Sequence, residues 1–366
     1  MARVLKPSKE TKYNLLVGIG GIGTGIFFKL QGERTLGRNE SRPATLLDVR
    51  DYCKLHIIAH YVAVLLGAKP SGRPFHVLPV GKVGDDIQGH RLIEEMTTAG
   101  MDTRFVDVVR GKPTMLSVCF QYPDGSGGNI TTSISAASDL SNSDINEAGK
   151  YLSKSGKRGT VLAAPEVPLE QRKHLLELAT RHHAFRAASF ASVEMKEAHS
   201  FGMFSMIDLL AINEDEAGAL IAREFNPDKA DPFLERCADV LTRANPNMRI
   251  VLSVGKQGAY GFEKGRWGFC PAAKADVAST AGAGDALLGG AIAALVAGMP
   301  LISEAPDRRH FTDRPISCAL DFAVLLAAFK VTSPHTIHPD ANLASLISFA
   351  KKLGTGFSPE VLKCFS

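Results

Sequence analysis

The second half of the chain alternates short apolar segments with amphipathic ones, and this rhythm constrains the fold more than any other feature. The composition of buried strands occurs at Val161–Ala164, Ile207–Ile212 and Ile250–Val254. Helical patterns accompany them at Leu169–His182, Glu214–Ala222 and Pro232–Arg243. Such alternation predicts a mainly parallel sheet with helices on both faces. The chain has 366 residues, 45% of them hydrophobic, which suffices for one large α/β domain or two smaller ones.

Two parts of the chain do not follow this rhythm. The stretches at about 26–50 and 114–135 contain meandering strand patterns, with a glycine-rich turn at Asp124–Gly128. We expect these stretches to form one small sheet beside the main domain. Because an exposed sheet face often pairs with a second copy of the chain, a homodimer through this small sheet is also predicted.

The stretch Ala278–Gly290 is the strongest candidate for chemistry. Gly282, Ala283 and Gly284 run directly into Asp285, and an apolar helix-forming segment follows. The first turn of a helix has unpaired backbone N–H groups and a positive dipole end, which together bind anions. An acid at this place can remove a proton from a hydroxyl while the N–H groups stabilise a transferred phosphoryl group. The alternative is a tight packing turn in which the acid merely suits the helix dipole.

Four separated motifs together resemble the signatures of the PfkB carbohydrate kinase (ribokinase-like) family. They are V-G-K-V-G-D-D through G-M-D-T (Val80–Thr103), I-N-E-D-E (Ile212–Glu216), V-L-S-V-G-K-Q-G-A (Val251–Ala259) and S-T-A-G-A-G-D-A (Ser279–Ala286). Their order and spacing also match the family, and the resemblance covers nearly the whole chain. It implies a single domain over residues 1–366 with a three-layer α/β/α fold, a mainly parallel central sheet and a small β lid over the sugar site.

The resemblance also implies ATP and Mg²⁺ as cofactors and a role for each motif residue. Asp285 is expected to be the general base, with an anion hole formed by its own N–H group and those of Gly282, Ala283 and Gly284. Asn213 and Glu216 are expected to organise Mg²⁺ and the phosphates, and Glu216 to reach the metal through water. The nucleotide site is expected to include Ser253, Gly255, Gly258 and Thr280. The alternatives for Asn213 and Glu216 are a helix cap and a solvated first-turn acid.

The departures from the family pattern gather on the acceptor side. Gly23 stands where the family has an Asp that binds sugar hydroxyls, and Cys53 and Lys54 stand where it has two glycines. Glu166 resembles a family acid that faces the sugar, although a loop acid is the alternative. We therefore expect a rewritten acceptor site that includes Gly23, Lys54 and Glu166.

Basic residues crowd the segment that would approach this acceptor site. They are Arg34, Arg38, Arg42, Arg50 and Lys54. Their density leaves two interpretations open, a phosphorylated or carboxylated acceptor and a set of solvated lid charges. Ser279 replaces the Asp that helps to hold a monovalent cation in family members, so the sequence leaves a K⁺ requirement open.

Composition narrows the classes of partner. The net charge is +4 with dispersed lysines and arginines, which gives no support for nucleic-acid or membrane-surface binding. The six cysteines are single and far apart, as in a protein of the reducing cytoplasm. The leading hypothesis is a cytoplasmic ATP-dependent kinase for a sugar or related small molecule. Two alternatives are a catalytically silent ligand-binding protein and a dinucleotide-dependent enzyme that uses G-I-G-G-I-G at Gly18–Gly23.

Overall fold

The computed structural model describes residues 3–124, 127–305 and 308–366. Gly125 and Ser126, within the predicted turn at Asp124–Gly128, lie outside the described residues. The strands are β1 (Leu15–Ile19), β2 (Gly23–Leu30), β3 (Ala44–Tyr52), β4 (His76–Gly84), β5 (Phe105–Val109), β6 (Met115–Gln121), β7 (Gly127–Thr131), β8 (Gly159–Ala163), β9 (Phe185–Ser189), β10 (Leu209–Asn213), β11 (Arg249–Ser253), β12 (Gly258–Glu263) and β13 (Arg266–Pro271). The α-helices are α1 (Lys54–Leu66), α2 (Ile87–Thr98), α3 (Asn142–Ser155), α4 (Leu169–Arg181), α5 (Met195–Ser200), α6 (Glu214–Ile221), α7 (Asp231–Ala244), α8 (Ala283–Val296), α9 (Ala319–Lys330), α10 (Leu343–Lys352) and α11 (Pro359–Leu362).

The larger sheet has the strand order β13-β12-β11-β10-β9-β8-β1-β4-β5. Every neighbouring pair from β11 to β5 is parallel, whereas β12 and β13 add an antiparallel edge. All five residues of β1 are buried, with Leu16 in one hydrophobic core and Leu15 and Val17 in the other. Because successive strand residues point to opposite faces, this division means that helices cover both faces of the sheet. The predicted three-layer α/β/α fold is confirmed.

The smaller sheet has the order β3-β2-β6-β7 and lies outside the main sheet. Its β2–β3 and β6–β7 pairs are antiparallel, and its central β2–β6 pair is parallel. These strands fall in the two stretches whose sequence does not follow the βα rhythm, and we call this sheet the lid.

Helix α8 is the central helix of its layer and packs between α1 and α9. Its glycines explain the close packing. A Cβ atom on Gly289 would lie 3.0 Å from the carbonyl oxygen of Ile58 in α1, and one on Gly290 would lie 3.1 Å from Cα of Ala323 in α9. The small residues of this segment therefore bring α1 and the end of α9 beside the N-terminus of α8.

Two sequence assignments differ from the structure. Asp51–Leu66 has helical periodicity and is followed by Gly67, a plausible C-cap, so the sequence predicts a helix from Asp51. The helix begins only at Lys54, because Asp51 and Tyr52 pair with β2 and end strand β3. Helix α3 was not predicted, although Ser141 and Asp144 form a capping box at its start. That S-x-x-D spacing is a recognisable start signal. Within the described ranges, no helix is both long and apolar enough to cross a bilayer.

Candidate functional site

The turn before α8 has the shape that its glycines predict. Gly282 has a φ of +79°, and a Cβ atom there would lie 2.6 Å from the carbonyl oxygen of Thr336. The N–H of Ala283 donates to the carbonyl of Thr280 at 3.1 Å, so this predicted anion-hole donor is already engaged. Among the described residues, no acceptor meets the N–H groups of Gly284 and Asp285. These two donors, at the positive end of the helix dipole, remain available for an anion.

The carboxylate of Asp285 faces a cation. Its side chain is 13% exposed, and its Oδ1 lies 3.5 Å from Nζ of Lys54. Lys54 is the first residue of α1, so two helix N-termini meet at this ion pair. The charge of Asp285 is the largest cause that raises the pKa of Lys54, and the charges of Glu166 and Glu216 act in the same direction. Lys54 is therefore held as a protonated ammonium by the charges of three acids, of which Asp285 contacts it directly.

A cleft of about 630 Å³ opens beside this ion pair. Predicted site residues line it, namely Lys54, Asn213, Glu216, Ser253, Gly255, Gly258, Thr280, Gly282, Ala283, Gly284 and Asp285. Apolar side chains line it as well, and they include Ala211, Val251, Ala259, Val277, Leu288, Val324, Ala327 and Val331. A cleft lined by apolar side chains and by anion-binding N–H groups suits a nucleotide, because the planar base needs the first and the phosphates need the second.

Asn213 and Glu216 form a reciprocal cap at the start of α6. The N–H of Glu216 donates to Oδ1 of Asn213 at 2.7 Å, and the N–H of Asn213 donates to Oε2 of Glu216 at 2.9 Å. The helix-cap alternative is thus observed for Asn213, and Glu216 is a half-buried partner in that cap and not a solvated acid. The cap leaves Oε1 of Glu216 without a protein donor among the described residues. Burial raises the pKa of Glu216 to about 7, against the lowering effect of Lys54. A nearby cation would stabilise the ionised form of this buried carboxylate.

The protein oxygens at the cleft fit Mg²⁺ only if substrate phosphates and waters supply the other ligands. Within the described ranges, no group of three His, Cys, Asp or Glu side chains could hold a metal ion by itself. Mg²⁺ commonly takes one or two protein carboxylates and completes its shell with waters and substrate phosphates. The unused oxygen of Glu216 beside the cleft meets that need.

Glu166 binds the start of α1 from a strained backbone position. Its φ is +76°, a left-handed conformation that is unusual for a residue with a side chain. Its Oε2 accepts the N–H of Lys54 at 2.9 Å and so caps a helix whose N-cap residue, Cys53, offers no side-chain bond. Burial raises the pKa of Glu166 to about 7. This contact places Glu166 beside the Lys54–Asp285 pair.

Gly23 does not supply a functional group. Its carbonyl accepts the N–H of Cys53 at 3.2 Å. A Cβ atom on Gly23 would lie 2.6 Å from the carbonyl oxygen of Met115 and 2.8 Å from Sγ of Cys53, so no side chain fits there.

Asp51 was missed as a site residue because the sequence reading placed it in a helix. It lies near the end of β3, and burial raises its pKa to about 6. The charge of Asp285 raises that pKa further, while the charge of Lys330 lowers it. The site thus holds one more carboxylate than the motifs indicated, contributed by the lid. Asp51 pairs with Gly25 of β2, a residue distant in the sequence. No local sequence pattern therefore marks Asp51 as a site residue.

The lid arginines do not converge on Asp285. Arg34 and Arg42 pair with Glu40 at 3.0 and 2.6 Å in the loop between β2 and β3, and the Arg34 side chain is 80% exposed. Arg38 and Arg50 are exposed as well. The positive charge near Asp285 comes from Lys54 and Lys330. The interpretation of solvated lid charges therefore fits Arg34, Arg38 and Arg50 better, whereas Arg42 is only 8% exposed and is held by Glu40.

The dinucleotide alternative fails on geometry. A dinucleotide-binding glycine turn needs a helix that opens at its third glycine. Here β1 ends at Ile19 and Gly23 begins strand β2, so the chain continues from this turn into a strand and no helix opens at the third glycine.

Comparison with known proteins identifies the family of this chain. The family model described as pfkB family carbohydrate kinase matches residues 59–342. The chain belongs to the pfkB family of carbohydrate kinases. Kinases of this family are phosphotransferases that act on an alcohol group.

Named relatives match most of the chain at low identity. A ribokinase of Dictyostelium discoideum is 22% identical over 276 residues, which is 72% of this chain and 81% of that protein. The structure of a ribokinase from Cryptococcus neoformans in complex with ADP has a TM-score of 0.69 at 20% identity, covering 91% of this chain and 98% of that one. An Arabidopsis thaliana ribokinase complexed with ribose and ATP has a TM-score of 0.65 at 18% identity, covering 96% and 98%. These structural likenesses concern the fold.

Proposed function

We propose that this kinase transfers the γ-phosphoryl group of ATP to a hydroxyl of a small sugar, with Asp285 as the general base. The observation that carries the proposal is the position of Asp285. Its carboxylate lies at the N-terminus of α8, where the N–H groups of Gly284 and Asp285 have no acceptor among the described residues, and Asp285 lines a cleft that suits a nucleotide. The ADP and ATP bound to the two ribokinases of the same fold support the choice of nucleotide.

The reaction follows from this geometry. Asp285 takes the proton of the acceptor hydroxyl while the hydroxyl oxygen bonds to the γ-phosphorus. At the same time, the bond from that phosphorus to the β,γ-bridging oxygen breaks. The N–H groups of Gly284 and Asp285 stabilise the charge on the transferred group. Nζ of Lys54, 3.5 Å from the base, is placed to stabilise the same charge. ADP then leaves with the bridging oxygen. Glu216 would hold Mg²⁺ through water, and the metal would neutralise phosphate charge.

The balance of charge around Asp285 favours a neutral acceptor. Four carboxylates act on this region, those of Asp51, Glu166, Glu216 and Asp285, against the ammonium groups of Lys54 and Lys330. An acceptor with its own carboxylate or phosphate would add repulsion, whereas sugar hydroxyls can donate to carboxylate oxygens. We therefore propose a neutral polyhydroxylated acceptor, bound in part by Asp51 and Glu166. This revises the anionic acceptor that the basic residues left open.

The test is ADP release from MgATP by the full chain over a panel of pentoses, hexoses and nucleosides, each beside its phosphorylated form. We expect one neutral member to stimulate ADP release well above the rate without acceptor. Thermal stabilisation by MgATP with no stimulation by any member would instead support the silent ligand-binding alternative. Absence of both effects would contradict a nucleotide site in this cleft.

A further inference from the structure

Lys330 is a charged group that the proposed reaction does not use. It is the last residue of α9 and is 0% exposed, which is rare for a lysine. Its Nζ donates to the carbonyl oxygen of Ser279 at 3.0 Å. Burial lowers the pKa of Lys330 to about 8, and the charges of Asp51 and Asp285 act to raise it. An ammonium in such a place is costly unless nearby negative charge compensates it.

The Ser279 carbonyl belongs to the turn that precedes the anion donors. The end of α9 holds this turn at three points, because the carbonyl of Val331 also accepts the N–H groups of Ala278 and Ser279 at 2.7 and 3.2 Å. The C=O and N–H on the two sides of a peptide bond point in opposite directions. Because the ammonium of Lys330 binds the Ser279 carbonyl, the N–H of Thr280 points away from Lys330. Thr280 is one of the residues that line the cleft.

The loop after α9 ties the same turn to the lid. The carbonyl of Thr336 contacts the turn at Gly282, and the N–H of Thr336 donates to the carbonyl of Arg50 in β3 at 3.0 Å. The N–H of Tyr52 donates to Oγ1 of Thr336 at 3.0 Å. Lys330 thus lies where the phosphate-binding turn, the lid and α9 meet, with Asp51 and Asp285 as the acids that act on it.

We propose that Lys330 is a positioning residue that supplies a fixed positive charge behind the phosphate-binding turn, so that phosphoryl transfer needs no dissociable monovalent cation there. The inference rests on the proposed function. A free cation that took the Ser279 carbonyl as a ligand would share that oxygen with the ammonium of Lys330. Two positive charges a few ångströms apart would also repel each other. Lys330 acts on the substrate through the turn and does not itself contact it.

The test compares the wild-type chain with Lys330→Met and Lys330→Ala in choline, sodium, potassium and ammonium chlorides at equal ionic strength. The readouts are the Kd for MgATP from calorimetry and the ADP-release rate with the acceptor found in the panel. The wild type should vary less than about twofold among the salts, because its cation is covalently attached. Lys330→Met should bind MgATP about tenfold more weakly or worse in every salt, the loss that follows removal of a charged hydrogen-bond partner. Lys330→Ala leaves a cavity, and ammonium or potassium should restore several-fold more binding and turnover than choline.

Lys82→Ala is the matched control, since Lys82 pairs with Asp144 at 2.9 Å and is only 16% exposed but lies outside the site. It should lower the melting temperature without any cation-dependent change in Kd or rate. The inference is overturned if the wild type needs potassium, if Lys330→Met matches the wild type, or if Lys330→Ala gains no more from ammonium or potassium than Lys82→Ala does. The proposed function fails separately, if the wild type binds no MgATP or transfers to no acceptor.

Discussion

The donor and acceptor sides of the cleft are built in different ways. On the donor side, one continuous stretch, Ser279–Ala286, forms the turn and the helix start, and the cap at Asn213 and Glu216 stands beside it. On the acceptor side, Asp51 and Lys54 come from the end of β3 and the start of α1, whereas Glu166 lies 112 positions after Lys54 and reaches it only through a tertiary contact. A local turn keeps its chemistry when the rest of a fold diverges, whereas a site assembled from distant segments can change one segment at a time. The comparison predicts that donor-side substitutions affect every acceptor equally and that acceptor-side substitutions affect them selectively.

The largest effect should come from Asp285→Asn, which keeps the shape and removes the base. We expect kcat to fall by about 10²–10⁴-fold for every acceptor, the usual contribution of general-base catalysis. The Kd for MgATP should stay nearly unchanged or become slightly tighter, because one negative charge near the γ-phosphate is gone. Steady-state kinetics with nucleotide titration measures both. A wild-type kcat in this variant would remove the base assignment and restore the packing-turn interpretation.

The next effect is the metal dependence at Glu216. Glu216→Gln should weaken the apparent affinity for Mg²⁺ by about 10–100-fold, as loss of a residue that orients metal-bound water does. The pKa of Glu216 is about 7, so the wild-type affinity should fall as the pH drops below that value and protonates the carboxylate. The glutamine variant should lack this pH dependence. Magnesium titrations of ADP release at several pH values check it, and an unaltered pH dependence would place the metal elsewhere.

A smaller effect is expected at Lys54, which lies between the two sides. Lys54→Ala should lower kcat/KM for the acceptor by about tenfold, because Asp285 loses its ionic partner and the transferred group loses a cation. Since Lys54 also lines the nucleotide cleft, the KM for ATP should rise, but by a smaller factor than the fall in kcat/KM for the acceptor. Arg34→Ala is the control, because Arg34 is 80% exposed and pairs with Glu40 in the lid loop. Equal kinetics for the two variants would show that Lys54 has no part in the reaction.

The smallest effect on catalysis should follow from changes to the outer lid. Strand register places three exposed side chains on one lid face, Ile26, Leu46 and Ile130. Their exposed fractions are 37%, 63% and 70%, an apolar surface that fits the predicted homodimer. Leu46→Lys combined with Ile130→Lys should shift the chain toward monomer in analytical ultracentrifugation with little change in kcat. A wild type that is monomeric at high concentration would contradict the dimer.

More of the fold and of the donor side than of the acceptor side could be predicted from the sequence. Periodicity placed most strands and helices because their burial is regular, and Ser279–Ala286 could be assigned because its function is local. Asp51 was assigned to a helix because nothing in D-V-R-D-Y-C-K marks the strand end at Tyr52. The contacts of Lys330 with Ser279 join residues 51 positions apart, so no motif could reveal them. Charge density suggested an anionic acceptor because the pairing of Arg34 and Arg42 with Glu40 is visible only in the folded chain.

The most direct test of the rewritten acceptor side is the ratio of kcat/KM for a neutral sugar to that for its phosphorylated form, measured with the wild type as a function of pH. The account predicts that the neutral form is preferred. The preference should grow as the pH rises from below the pKa of Asp51, about 6, to above that of Glu166, about 7, since ionised carboxylates repel the phosphate more strongly. A preference for the phosphorylated form, or a ratio that does not change over this range, would contradict an acceptor site built on these two acids.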